Sequence, residues 1–212
     1  MKFGVFSDVH GNYAALTRLW DELTSLDLTG RQVLNAGDSV GYGPEPEKCI
    51  RFLQDHGNVI SVRGNYDRNV ASFPKREAEY RKRWERSRPD KYEAIKRDSD
   101  VIGDAARTWL SELPKEARLT IRDTRIVVCH YSPGSKESLG YWTPRSTFAE
   151  IAERADADVV VCGHTHTPFV KTVDGVLFVN PGTVGRESRF QCSYAILDLN
   201  ADAEPRAELR RI

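Results

Sequence analysis

No apolar run in this sequence approaches the ~18 residues that a membrane-spanning helix requires. The first residues, MKFGVFSDVHG, pass from a short apolar run directly into polar residues, so we expect neither a transmembrane span nor a signal peptide. The four cysteines are scattered without a CxxC pair, which disfavours a disulfide framework. Cys129 and Cys162 end apolar runs and are predicted to be buried thiols. We expect a cytoplasmic protein with no membrane partner.

An excess of either charge is also missing, because 31 Lys and Arg balance 31 Asp and Glu. A neutral chain has no overall attraction for nucleic acid. Within residues 75–100, ten Lys and Arg stand against seven Asp and Glu, which is too small an excess for a surface that follows phosphates. We therefore expect no nucleic-acid partner, and the sequence leaves the oligomeric state open.

The composition, 40% hydrophobic and 29% charged over 212 residues, is that of a globular domain. Apolar periodicity near the start predicts alternating strands and helices, which indicates a layered α/β fold with parallel pairing. The predicted strands are 2–7, 31–36 and 58–63; the predicted helices are 13–26, with Asn12 as N-cap, and 46–56.

The middle of the chain loses the strand pattern. Residues 75–100 are dense in charge of both signs and are broken by Pro89, which predicts a pair of solvent-facing helices; a cap over the substrate is the alternative. Strands then return as ARLTI, TRIVVC, DVVVC, PFVKTV, VLFVN and SYAILDL, with a hairpin turn at Asp174-Gly175 and a helix at 145–154. We predict one domain, 1–212, with a helical insertion at about 70–112.

Polar side chains follow five of the predicted strands. In an open α/β sheet the carboxyl ends of the strands share one edge, where ligands bind. The sequence therefore gathers seven residues at one crevice: Asp8, His10, Asp38, Asn65, His130, His164 and His166. Imidazole, carboxylate and amide oxygen suit divalent transition metals. Seven ligands exceed one tetrahedral site and suit two metals that share a carboxylate.

The same motifs carry a family resemblance. The ordered set D-V-H-G-N, G-D, G-N-x-D, H-x-S-P and G-H-T-H, followed by N-P-G-T-V-G at 180–185, resembles the calcineurin-like metallophosphoesterase superfamily, above all its small bacterial and archaeal phosphodiesterase-type members. The resemblance runs from Phe3 to about Leu199, apart from the charged insertion. It implies a four-layer αββα sandwich, in which two central sheets are flanked by helices.

The resemblance also assigns the ligands. It implies that Asp8, His10 and His166 bind one metal, that Asn65, His130 and His164 bind the other, and that Asp38 bridges the two. A hydroxide bridging two such ions is the expected nucleophile. Manganese is the expected metal, with iron, nickel, zinc and cobalt as alternatives. Asp67 is expected to orient a ligand.

Four residues are candidates for contacting the substrate: Asn12, Tyr66, Tyr131 and Arg186, with Arg189 as a further candidate. Tyr66 stands where many relatives that cleave phosphomonoesters have an acid histidine. A phenol is a poorer acid near neutrality. The substitution therefore favours phosphodiesters or phosphoanhydrides with good leaving groups.

An aromatic rim is a second hypothesis. Tyr131 replaces a glycine that is usual beside the metal ligand His130, and Tyr42, Tyr66, Tyr141 and Trp142 would join it in stacking a nucleobase. The alternative is that Tyr141 and Trp142 pack into the core.

We expect a metal-dependent phosphoric ester hydrolase. Its expected substrate is a small-molecule phosphodiester, with nucleotides among the candidates. The alternatives are a dinucleoside polyphosphate hydrolase, a protein phosphatase and, in a different class, a metal-binding interaction scaffold. The scaffold is disfavoured because no ligand position is missing.

Overall fold

The structure is a computed structural model, and it describes residues 1–186, 191–200 and 203–212. The described strands are β1 (Lys2–Phe6), β2 (Val33–Asn35), β3 (Val59–Ser61), β4 (Glu116–Ile121), β5 (Thr124–Cys129), β6 (Val159–Val161), β7 (Phe169–Val173), β8 (Val176–Asn180), β9 (Ser193–Asp198) and β10 (Arg206–Arg211). The described helices are α1 (Tyr13–Ser25), α2 (Pro46–Asp55), α3 (Asn65–Trp84), α4 (Pro89–Val101), α5 (Asp104–Glu112) and α6 (Arg145–Ala155).

The strands form two mixed sheets. The first has the order β10-β9-β1-β2-β3, and the second has the order β4-β5-β6-β8-β7. The strands β1, β2 and β3 pair in parallel, as do β5, β6 and β8. The remaining strands pair antiparallel at the edges. The parallel centres leave several strand ends at the same edge of the molecule.

Four layers follow from where the apolar side chains lie. Both sheets contribute to one buried cluster between them, which includes Val5 and Leu34 from the first sheet and Val128 and Val161 from the second. The outer face of the first sheet packs against α1 and α2, and that of the second packs against α6. Each sheet is thus covered on both faces, and the predicted αββα sandwich is confirmed.

The charged middle segment is more buried than we predicted. Pro89 begins α4, so the two helices expected across 75–100 are present, and a third, α5, follows them. They are not merely solvent-facing, because Phe73, Tyr80, Trp84 and Tyr92 pack into a buried cluster that reaches α2. Their charges form ion pairs on the outer faces, such as Lys96 with Asp100.

Three local predictions are confirmed. The Asn12 side chain caps α1 by accepting a hydrogen bond from the backbone N–H of Ala15 at 3.0 Å. Asp174 and Gly175 both have positive φ, as a tight hairpin between β7 and β8 requires. Cys129 and Cys162 are buried free thiols. Within the described part of the chain, no helix is long and apolar enough to cross a membrane.

Candidate metal centre

The loops that follow β1, β2, β3, β5 and β6 meet where the two sheets adjoin. The first three carry Asp8, His10, Asp38 and Asn65, and the other two carry His130, His164 and His166. All seven predicted ligands occupy this region. Six of them form two clusters of three whose ligand atoms lie within 4.8 Å of one another. The site therefore takes side chains from both sheets.

The first cluster is Asp8, His10 and His166. The Oδ1 atom of Asp8 lies 3.6 Å from His10 Nε2 and 3.2 Å from His166 Nε2, and the two Nε2 atoms are 3.0 Å apart. Asp8 and His10 are buried, and the ring of His166 is partly exposed. Three ligand atoms of two kinds converge on one point, with an open side toward solvent.

The second cluster is Asp38, His130 and His164. Asp38 Oδ2 lies 3.3 Å from His130 Nε2, which is 3.3 Å from His164 Nδ1. The other carboxylate oxygen, Oδ1, accepts a hydrogen bond from the backbone N–H of Tyr66 at 2.7 Å. That bond leaves Oδ2 directed into the cluster.

Backbone carbonyls orient two of the histidine rings. His10 Nδ1 lies 3.2 Å from the carbonyl oxygen of Val40, and His130 Nδ1 lies 2.8 Å from that of Ala36. A carbonyl oxygen only accepts, so each Nδ1 carries the proton. Each Nε2 then presents a lone pair to its cluster. This is the arrangement in which protein histidines bind metal ions.

Burial and neighbouring charges shift the ionisation of the site. Burial lowers the pKa of His10 and of His164 to about 4, so both are neutral at physiological pH, as metal ligands must be. Burial acts against the charged form of Asp8 as well, but His166 and the other histidines hold its pKa well below the usual range. Burial likewise lowers the pKa of His130, but the Asp38 carboxylate outweighs it and raises that pKa to about 9. A metal ion would therefore have to displace the Nε2 proton of His130 before it could bind there.

Asp67 holds the loop that carries Asp38. Its carboxylate accepts backbone N–H groups from Asp38 at 2.9 Å, Ser39 at 2.8 Å and Gly64 at 2.8 Å. Burial and the adjacent Asp38 charge raise the pKa of Asp67 to about 7, while these N–H donors favour its ionised form. Asp67 thus ties the loop after β2 to the start of α3.

Asn65 lies beside the second cluster. It is the first residue of α3, and its Oδ1 accepts a hydrogen bond from the Tyr131 hydroxyl at 3.0 Å. The Tyr131 ring packs on His164, with the ring centroids 4.4 Å apart. An amide oxygen has two lone pairs, so Oδ1 retains one for a further ligand.

A cavity of about 510 Å³ opens over both clusters. Its wall includes Asp38, Asn65, His164 and His166. Tyr42 and Tyr66 also line it, and their hydroxyls are in hydrogen-bond contact. Burial raises the pKa of the Tyr66 phenol well above its usual range.

The predicted aromatic rim does not assemble as one surface. Tyr42 and Tyr66 line the cavity, whereas Tyr131 lines a neighbouring one on the far side of Asn65. Tyr141 and Trp142 line neither cavity. They are 53% and 55% exposed, so the alternative that they belong to the core is wrong as well.

Two further residues that were predicted to contact the substrate, Asn12 and Arg186, lie in the described part of the chain. Asn12 Nδ2 donates to the carbonyl oxygen of Gly185 at 3.0 Å, which leaves its second N–H available. Arg186 lines the cavity, with its guanidinium carbon 3.6 Å from the Tyr42 ring centroid. Arg189 lies outside the described residues.

For the helical segment, the sequence offered a cap over the substrate only as the alternative, and none of the segment's residues was predicted to line the site. Ser87, Arg88, Pro89, Asp90 and Lys91, at the start of α4, line the same cavity as the metal clusters. The segment carried a signal, namely its basic residues on either side of Pro89. The sequence does not show how α3 packs against α4, so it could not identify which of these basic residues line the cavity.

The donor set fits divalent metal ions. Asp8 Oδ1 is buried and has no hydrogen-bond partner among the described residues, although the two His Nε2 atoms lie near it. A buried carboxylate oxygen without a hydrogen-bond donor is costly. A bound cation satisfies all three atoms at once.

Known proteins resemble this chain over nearly its whole length. The family model for the calcineurin-like phosphoesterase superfamily domain matches residues 1–202. An uncharacterized protein of Methanocaldococcus jannaschii is 28% identical over 213 residues, which covers 92% of this chain and 81% of that protein.

Solved structures share the fold. A hypothetical protein of Pyrococcus horikoshii superposes with a TM-score of 0.84 at 21% identity, covering 100% of this chain and 87% of that one. A metallophosphoesterase of Sphaerobacter thermophilus gives 0.73 at 24% identity, covering 100% and 88%. With the family match and the two His/Asp clusters, these similarities lead to one conclusion: the chain belongs to the calcineurin-like phosphoesterase superfamily.

Proposed function

We propose that the protein is a two-metal phosphodiesterase that hydrolyses a small-molecule phosphodiester. The observation that carries the proposal is the pair of His/Asp clusters, Asp8 with His10 and His166 and Asp38 with His130 and His164, at the floor of one open cavity. Two ions held there would lower the pKa of a bound water and would supply positive charge to the phosphoryl oxygens.

Each ligand has a role in this proposal. Asp8, His10 and His166 would hold one ion, Asn65, His130 and His164 would hold the other, and Asp38 would contribute its carboxylate to both. Asp67 acts through Asp38 by fixing its loop, and Tyr131 acts through Asn65 by its hydrogen bond. Asn12 would donate to an oxygen of the phosphate at the metals, and Arg186 would contact the substrate from the cavity wall. Manganese is the proposed metal, since mixed nitrogen and oxygen ligation accommodates it.

The choice of a diester rests on Tyr66. Its hydroxyl lies against that of Tyr42, and burial raises its pKa, so it stays protonated yet is a weak acid. A substrate whose leaving group departs without strong acid assistance suits this site best. Aryl and nucleotide phosphodiesters meet that condition better than alkyl phosphomonoesters do.

The proposal is tested by hydrolysis of bis-p-nitrophenyl phosphate. Metal-stripped protein is assayed with manganese, nickel or zinc added, and without metal. We expect turnover that requires metal and that Asp38→Asn lowers by at least about 100-fold, because the substitution replaces the shared carboxylate. Folded protein that binds two ions and turns over with none of these metals would contradict the proposal and favour a scaffold.

A further inference from the structure

Lys91 projects from the inserted helices into the wall of the metal cavity. It is the third residue of α4, and its Nζ atom lies 4.5 Å from the Trp84 ring centroid and 5.1 Å from that of Tyr66. The same cavity is lined by the metal-cluster residues Asp38, His164 and His166. The ammonium group thus lies against two aromatic rings, in the wall of the cavity that also contains the metal-cluster residues.

No carboxylate of the described residues, 1–186, 191–200 and 203–212, is an ion-pair partner of the Lys91 cation. By contrast, Lys96 on the same helix pairs with Asp100. Burial, together with the neighbouring Arg88, lowers the pKa of Lys91 to about 8. A half-buried ammonium without an anion is unfavourable for folding alone, and an anionic ligand would compensate it.

Further cations line the same cavity. Arg88 and Arg186 are part of its wall, and the Arg186 guanidinium is stacked on Tyr42. The carboxylates in the wall are those of Asp38 and Asp90. Asp38 is one of the proposed metal ligands, so its charge is assigned to the metal centre and not to the rest of the wall. Among the residues that the structure describes, the remainder of the wall therefore carries three cations against one carboxylate.

We propose that Lys91, with Arg88 and Arg186, binds a second phosphate group of the substrate, separate from the phosphate at the metals. The substrate class is accordingly a phosphoester that carries another phosphate. This inference rests on the proposed function, because the scissile phosphate is placed at the metals. The cavity, at about 510 Å³, lies in the size range of pockets that enclose nucleotide-sized ligands.

The test compares two ligands that differ by one phosphate. Thymidine 3′,5′-bisphosphate and thymidine 5′-monophosphate are titrated into the manganese-loaded protein by calorimetry. We expect the bisphosphate to bind at least about tenfold more tightly, since charge-assisted hydrogen bonds to phosphate are strong. Lys91→Ala should reduce that ratio to about threefold or less, and Lys91→Arg should retain most of it. Lys96→Ala, on the same helix, is the matched control and should keep the ratio.

Three outcomes overturn the proposal: equal affinities in the wild-type protein, binding of neither ligand, or a ratio that Lys91→Ala leaves unchanged. A variant Lys91→Gln, checked by circular dichroism, replaces Lys91→Ala if the latter unfolds. Turnover of bis-p-nitrophenyl phosphate, which has no second anion, is measured on the same preparations. Active protein without a bisphosphate preference refutes the second-phosphate site alone, and inactive protein that keeps the preference refutes the phosphodiesterase alone.

Discussion

Asp8, His10, Asp38, His164 and His166 all have positive φ angles, between 51° and 68°. This left-handed backbone costs roughly 1–3 kcal/mol for a residue other than glycine, and it persists only where the surroundings enforce it. Two hydrogen bonds enforce it here: the Asp38 carboxylate accepts the backbone N–H of Tyr66, and the Asp8 carboxylate accepts the backbone N–H of His164. Strain concentrated on the predicted ligands indicates that the loops are shaped for binding.

The residues that meet in the candidate metal centre could be predicted from the sequence, whereas the contacts that support them could not. Motif order and strand ends located all seven. The sequence also marked Asp67, through G-N-x-D. It did not reveal that Tyr131 bonds to Asn65, because that contact joins residues 66 positions apart. Nor did it show that Tyr42 meets Tyr66. Contacts of this kind depend on how loops from different strands pack.

Gly64 is required for space rather than for backbone freedom. A Cβ atom at this position would lie 2.0 Å from Asp38 Oδ1 and 2.3 Å from the Asp38 backbone nitrogen. We predict that Gly64→Ala displaces Asp38 and lowers metal-dependent turnover of bis-p-nitrophenyl phosphate at least about 100-fold, since small misplacements of this kind are costly. Initial rates at saturating manganese measure the effect.

Gly57→Ala is the matched control for that substitution. Gly57 lies between α2 and β3, and a Cβ atom there would meet nothing within 4 Å. Its turnover should stay close to that of the wild type. If Gly64→Ala also retained full activity, Asp38 would not need the position that the structure gives it.

At the scale of elements, the early strands and helices were predictable because their apolar periodicity is simple. The strand β10 was missed, because RAELRR is an exposed edge strand whose charges hide the pattern. The buried side of α3 and α4 was missed for a related reason: apolar residues such as Phe73 and Tyr80 are spaced widely among charges. The high content of charged residues reflects the exposed sides of α3 and α4 and gives no indication of their buried sides.

Trp84 tests whether the inserted helices are a packed part of the molecule. Its side chain is 7% exposed, and its ring stacks on Tyr80 with the centroids 4.8 Å apart. Truncating a buried Trp costs about 3–5 kcal/mol. We predict that Trp84→Ala lowers the melting temperature by roughly 6–20 °C in a chain of this size. Thermal unfolding followed by circular dichroism measures the shift.

Trp142→Ala provides the comparison, because that side chain is 55% exposed in a loop. Its melting temperature should change by no more than about 2 °C, as is usual for surface substitutions. Equal shifts for the two variants would show that α3 and α4 do not form the buried cluster described here.

At the scale of the molecule, the sequence predicted a layered α/β fold, and only the family resemblance implied two sheets. Local patterns do not reveal that β9 pairs antiparallel with β1, nearly 200 residues away along the chain. The pairing of distant strands is a property of the whole chain. The metal centre likewise belongs to the whole, because the first sheet supplies Asp8, Asp38 and Asn65 and the second supplies His130 and His164.

Ions that take ligands from both sheets should stabilise the folded protein. At a free concentration 100 times the dissociation constant, each ion contributes about 2.7 kcal/mol. We predict that manganese raises the melting temperature of metal-stripped protein by roughly 5–10 °C for each ion bound. Asp38→Asn should reduce this gain, whereas Asp100→Asn on the surface should preserve it. The absence of any gain in wild-type protein would contradict a site that joins the sheets.

The most direct measurement is anomalous diffraction from crystals of the manganese-loaded protein, collected on both sides of the manganese edge. We predict two peaks, one within bonding distance of Asp8, His10 and His166 and the other within bonding distance of Asn65, His130 and His164. Asp38 should lie between them, about 3.5–4 Å being the usual separation of such ions. A single peak, or peaks away from these side chains, would contradict the two-metal centre.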